Sequence, residues 1–86
     1  MRQLASLCPF MRRHKNETLV RFGRAIRTLR KARGFSQEML ALESDINRTY
    51  MGCLERGEEN VSLLTILKIS AVLKVPPSKL LIEAQL

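Results

Sequence analysis

The chain has 86 residues, 45% of them hydrophobic and 5% aromatic, with a formal net charge of +7. A chain this short folds as one small domain, too small to enclose both a packed core and a deep catalytic cleft. Its wealth of Leu, Ile, Val and Ala favours several short packed helices over a strand-rich fold. Residues 1–33 carry ten Arg or Lys against the single acid Glu17, residues 34–61 two against six acids, and residues 62–86 three against Glu83. So basic a first third favours a polyanionic partner, either nucleic acid or an anionic membrane surface.

Residues 1–17 show no sustained helical period, contain Pro9 and gather Arg12, Arg13, His14 and Lys15. They read as a basic N-terminal arm, an extra helical turn or a solvated tail. Met1–Pro9 lacks the apolar length of a signal peptide and no apolar run approaches the ~20 residues that span a bilayer, so a soluble, cytoplasmic protein is expected. Cys8 and Cys53, with the lone His14, are too few and too scattered for a metal site, and reduced cysteines are the simplest expectation.

Residues 18–86 read as one folded domain. From Thr18, the residues Leu19, Phe22, Ile26 and Leu29 recur at three- and four-residue steps, predicting an amphipathic first helix that ends at Gly34. Ser36 stands where an N-cap belongs, so a second short helix is predicted from Gln37 to about Ser44. Asn47 caps a third, which carries Tyr50, Met51 and Leu54 inward and is stopped by Gly57. Only Asp45 and Ile46 remain between the second and third helices, and so tight a connection forces a steep crossing angle. Ser62 caps a fourth helix with Leu64, Ile66, Leu67, Ile69, Ala71 and Leu73 available for packing. The Pro76-Pro77 pair breaks the chain, and Ser78–Leu86 reads as a fifth helix.

The run Gln37-Glu38-Met39-Leu40-Ala41, then Ile46, Arg48-Thr49-Tyr50-Met51 and Leu54-Glu55-Arg56-Gly57, resembles the lambda-repressor/Cro-like helix-turn-helix family. Arg48-Thr49-Tyr50 and Glu55-Arg56-Gly57 with Asn60 are similar to controller proteins of restriction–modification systems. The likeness covers roughly residues 20–75 and is strong because several parts match in order and spacing. It implies an all-α, five-helix DNA-binding domain. Ala41 permits close approach of the second and third helices, while Ile46 and Leu54 hold their angle from beneath. Asp45 replaces the family's usual turn glycine, a position where aspartate tolerates left-handed backbone at modest cost. The resemblance also implies a buried ion pair between Arg30 and Glu55.

In that geometry the third helix enters the major groove with its N-terminal residues at the base edges. Asn47, Arg48 and Thr49, with Gly52 and Cys53 one turn later, are the expected base contacts. Arg48 can donate two hydrogen bonds to O6 and N7 of guanine, and Thr49 can offer its hydroxyl to a base or its methyl to thymine. Ser36, Gln37, Tyr50, Arg56 and Asn60 are the expected contacts to the DNA backbone, Gln37 because it opens a helix whose amides attract phosphate. Glu58 and Glu59 depart from the basic residue that controller-like relatives place after the recognition helix.

Leu80, Leu81, Ile82 and Leu86 exceed what one short terminal helix can bury against its own domain, which predicts a homodimer on a roughly palindromic operator. The expected partners are therefore double-stranded DNA and a second copy, with no cofactor, no metal and no membrane. Catalysis is not expected, since His14 lies away from any nucleophile or carboxylate pair. The competing reading is an antitoxin-type or phage-type repressor whose N-terminal arm binds a partner protein. Activator and repressor behaviour are equally compatible with the sequence.

Overall fold

The computed structural model describes residues 16–86, which form five helices: α1 (Glu17–Ala32), α2 (Gln37–Glu43), α3 (Arg48–Glu55), α4 (Leu63–Leu73) and α5 (Pro77–Glu83). Among the described residues there is no strand. Asn16, Ser36, Asn47 and Ser62 cap the first four helices, their side-chain oxygens accepting backbone N–H bonds of 2.8–3.1 Å from the first turn. Each cap satisfies amide donors that the helix itself cannot. The predicted boundary at Thr18 moves outward, because Asn16 accepts from the Thr18 amide and Glu17 already lies in α1. The rest of the expected arm lies outside the described residues.

All five helices terminate in one way. Gly34, Asp45, Gly57, Lys74 and Gln85 adopt φ values of +58 to +80°, and in each case two successive amides turn back onto carbonyls of the last turn. This closure satisfies carbonyls left without intrahelical partners. The second helix stops at Glu43, one residue short of the prediction, with Ser44 as its C-cap. The fifth begins at Pro77, not Ser78, since a proline in the first turn sacrifices no intrahelical hydrogen bond; it ends at Glu83, where the left-handed Gln85 turns the chain.

The core draws on every helix: Phe22, Ala25 and Ile26 of α1, Leu40 and Ala41 of α2, Met51 and Leu54 of α3, Ile69 and Leu73 of α4, and Leu80 with Ala84 at the end of α5. α1 packs on both α3 and α5, α2 on α3 and α4, and α4 on α5. In α4 the buried pair Ile69 and Leu73 defines one face, so three expected packing residues, Leu64, Leu67 and Ala71, face outward instead. Leu80, expected at a dimer interface, is fully buried in the domain's own core because it shares a face with Ala84 against α1 and α4. Leu81, Ile82 and Leu86 are exposed, at 43, 68 and 52%.

Candidate nucleic-acid interface

The helical pair α2–α3 is held at its elbow by the backbone itself. Asp45 takes the left-handed conformation, φ +58°, which lets the Ile46 amide donate to Ala41 O at 2.8 Å and reverses the chain within two residues. Beneath the elbow Leu40, Ala41, Met51 and Leu54 are buried, with Ile46 packed against them. The turn therefore forms with aspartate in place of glycine, and the crossing of α2 and α3 is set by core packing.

A second tie crosses the other end of α3. Arg30 Nε and Nη2 donate to the two carboxylate oxygens of Glu55 at 2.7 and 3.0 Å, while Nη1 donates to Phe35 O at 3.0 Å. Gln37 Nε2 adds a third hydrogen bond to Glu55 Oε1 at 2.9 Å. With 9 and 2% side-chain exposure, the pair is compensated by a bidentate geometry and by these neighbours. α1, the start of α2 and the end of α3 are thereby bound into one unit.

Close backbone approach reinforces that unit, and sequence reasoning missed it. A Cβ at Gly23 would collide with the carbonyl oxygens of Leu54 and Glu55, the latter at 2.6 Å, so α1 rests directly on the end of α3. At Gly57 a Cβ would stand 2.6 Å from Val20 Cα, and φ is +80°. The legible signal was a glycine inside the helical period of α1, where alanine is the better helix former unless something needs the space.

Outward from this frame, Asn47, Arg48 and Thr49 lie exposed at the first turn of α3. Asn47 spends its Oδ1 on the amides of Thr49 and Tyr50, which leaves its NH₂ group to face a ligand. Gly52 and Cys53, grouped with these as base contacts, are instead buried. Cys53 is 0% exposed and its thiol is not free, so it offers neither a base contact nor the reduced cysteine expected. Residue 53 falls on the inner side of α3, next to Leu54 and Met51, because one helical turn also carries side chains around to the core.

The expected backbone contacts fall into two groups. Ser36 and Asn60 are exposed, and the Ser36 oxygen is occupied by the Met39 amide, so its hydroxyl hydrogen remains to donate. Gln37 and Tyr50 are half-buried and Arg56 is exposed. Burial, followed by the nearby charge of Glu59, raises the Tyr50 pKa, with a hydrogen bond to Thr65 opposing the shift. The phenol is therefore neutral and able to donate at physiological pH. Arg56 Nε pairs with Glu58 Oε1 at 3.2 Å, so this acid turns onto a neighbouring cation instead of projecting as a bare charge.

Among the described residues no cluster of three or more His, Cys, Asp or Glu could hold a metal, and no helix is long and apolar enough to cross a membrane. Known proteins share this arrangement. The helix-turn-helix family model matches residues 26–80. The control protein C.BamHI of Bacillus amyloliquefaciens is 46% identical over 67 residues, covering 77% of this chain and 83% of its own. The crystal structure of the restriction–modification controller protein C.AhdI from Aeromonas hydrophila superposes with a TM-score of 0.74 at 48% identity, covering 76% of this chain and 98% of its own. The biofilm master regulator SinR, solved in complex with DNA, superposes with a TM-score of 0.67 at 34% identity, over 70% of this chain and 97% of its own. With residues 26–80 matched by the family model and about three quarters of its length matched by C.BamHI and C.AhdI, the chain belongs to the helix-turn-helix family, in the company of the restriction–modification controller proteins.

Proposed function

We propose that this protein is a sequence-specific, double-stranded-DNA-binding transcriptional regulator that acts in the cytoplasm as a homodimer and controls a restriction–modification operon. The observation that carries the reading is the exposed first turn of α3, Asn47-Arg48-Thr49, on a helix whose underside is locked by Leu54, Ala41 and the Arg30–Glu55 pair. A recognition helix needs that combination, since a base contact discriminates only when its donor is held in register with the groove. Arg48 and Thr49 read base edges. Ser36, Gln37, Tyr50, Arg56 and Asn60 set the register on the phosphates.

The second copy docks on α4 and α5. Besides Leu81, Ile82 and Leu86, α4 exposes Leu63, Leu64 and Leu67, at 69, 70 and 42%. A helix apolar on both faces calls for cover on both, and a two-fold pairing provides it with the same patch. The recognition helices of such a dimer enter successive major grooves ~34 Å apart, so the operator is roughly palindromic.

The test is Arg48→Ala. Thermal stability should hold while discrimination between operator and random duplex falls by about 1–3 kcal/mol at one base pair. Gln37→Ala should instead weaken both duplexes alike. Equal losses for Arg48→Ala on the two duplexes would reduce α3 to a backbone-binding helix and defeat the base-reading assignment.

A further inference from the structure

Gly52 sits at the middle of α3, one turn after Arg48 and one turn before Arg56, on the stripe that faces the start of α2. A Cβ placed there would stand 3.3 Å from Arg56 Nη1, 3.4 Å from Arg48 Nη1 and 3.5 Å from Gln37 Oε1. The room vacated by the missing side chain is thus shared by the polar ends of three others, drawn from two helices. None of the three contacts is backbone, in contrast to the collisions at Gly23 and Gly57. Glycine is also a poor residue for a helix interior, so its presence here needs a reason that packing of the backbone does not supply.

Two of the three groups are held from behind. Glu55 takes the Gln37 amide nitrogen at 2.9 Å and so leaves the Gln37 oxygen toward the space over Gly52. Arg56 is tethered by Glu58 at 3.2 Å and donates Nη2 to Cys53 Sγ at 3.4 Å. Among the described residues Arg48 has no such tether, and its guanidinium enters the slot beside the Arg56 cation and the Gln37 carbonyl. Two guanidiniums facing one point leave more donors than the Gln37 oxygen can satisfy, so the slot suits a ligand edge rich in acceptors. The O6 and N7 of guanine form such an edge in the major groove.

We propose that Gly52 is a positioning residue that determines sequence specificity: by omitting a side chain it admits the Arg48 guanidinium to the slot beside Gln37 and Arg56, from which it reads a guanine. Gly52 itself touches no base. The proposal rests on the assignment of α3 as the DNA-reading helix, and its consequence is that a Cβ at position 52, 3.3 Å from Arg56 Nη1 and 3.4 Å from Arg48 Nη1, fills the space that the two guanidiniums share. A methyl group there meets no backbone, only side-chain ends, and its tightest contact, 3.3 Å to Arg56 Nη1, is relieved by a shift of that exposed side chain.

The experiment selects a duplex from a random library with the wild-type chain and measures affinity for it and for a scrambled duplex at one salt concentration. Gly52→Ala should melt at or above the wild-type temperature, because alanine favours the helix, while the ratio of the two affinities falls on the order of tenfold. Adding Arg56→Ala should restore part of that ratio by emptying the slot, even as the lost cation weakens binding to both duplexes. An unchanged ratio in Gly52→Ala would overturn the proposal and leave the proposed function standing. So would equal loss on both duplexes with a lowered melting temperature, since that outcome makes Gly52 a packing residue alone, and so would failure of Arg56→Ala to restore the ratio. A wild-type chain that enriches no sequence would overturn the proposed function and this inference with it.

Discussion

The two ends of this small domain solve opposite problems. Around α1, α2 and α3 the polar groups are tied inward: Arg30, Glu55 and Gln37 form one hydrogen-bonded set, and glycines let α1 touch α3 backbone to backbone. Across α4 and α5 the leucines look outward, with Leu63, Leu64, Leu81, Ile82 and Leu86 all more than two-fifths exposed. The first region satisfies its polar groups within one chain, whereas the second leaves apolar surface exposed, the surface on which the proposed second copy docks. A protein that must present a rigid reading surface and pair with a copy needs both, since rigidity comes from satisfied internal contacts and association from unsatisfied apolar ones.

The two regions differ most at Glu55. Glu55→Ala leaves the Arg30 guanidinium buried without its carboxylate and frees Gln37, and should cost about 3–5 kcal/mol in chemical denaturation. A loss under 1 kcal/mol would mean that water reaches the pair and that the first region is not sealed. Gly23→Ala attacks the same region through packing: the added methyl meets Leu54 and Glu55 carbonyls that cannot swing aside, for a loss of about 1–3 kcal/mol. Circular dichroism melts would detect it, and a neutral outcome would show that α1 can slide away from α3.

The outward region should respond in the reverse manner. Leu81→Ser combined with Ile82→Asn removes exposed apolar surface, so the fold of the single chain should change by no more than about 0.5 kcal/mol. Sedimentation should meanwhile show the dimer lost, and with it the dependence of melting temperature on protein concentration. A variant that still sediments as a dimer would place the second copy elsewhere. The smallest expected effect lies on the boundary between the regions, at Tyr50. Its pKa is raised in the fold, so the folded state holds the phenolic proton more tightly than the unfolded chain, whose tyrosine titrates near its ordinary value. The stability that this contributes is present below that value and is lost as pH rises through the folded pKa. Tyr50→Phe should flatten the alkaline limb of a stability–pH profile, and an unaltered limb would assign the loss to other groups.

Much of the architecture was legible without coordinates because its signals are local. Ser36, Asn47 and Ser62 announce helix starts by the chemistry of their own side chains, and Gly34 and Gly57 announce ends by the backbone they permit. The two-residue elbow at Asp45-Ile46 and the match at Arg48-Thr49-Tyr50 likewise lie within a few residues of one another, as does the stripe from Leu19 to Leu29. Such features depend on neighbours in the chain, and a chain carries its neighbours with it.

What stayed hidden depends on contacts made across the fold. Leu80 and Leu81 are adjacent and chemically the same, yet one is wholly buried and the other exposed, because only the docking of α5 on α1 and α4 decides which face turns inward. Leu64 and Leu67 looked like core for the same reason, until Ile69 and Leu73 occupied the inner face of α4. The need for Gly23 arises 31 residues away at Leu54, the partner of Gln37 is Glu55 on another helix, and the slot over Gly52 exists only because Gln37 of α2 meets the arginines of α3. The sequence by itself determined the helices and most of their ends, with the polar run Asn47-Arg48-Thr49 at the start of α3, since these follow from short-range sterics and hydrogen bonding. The tertiary structure alone decided which leucines were spare, which glycines were spacers and where each guanidinium points, since burial and orientation are properties of surfaces that meet only when distant segments pack.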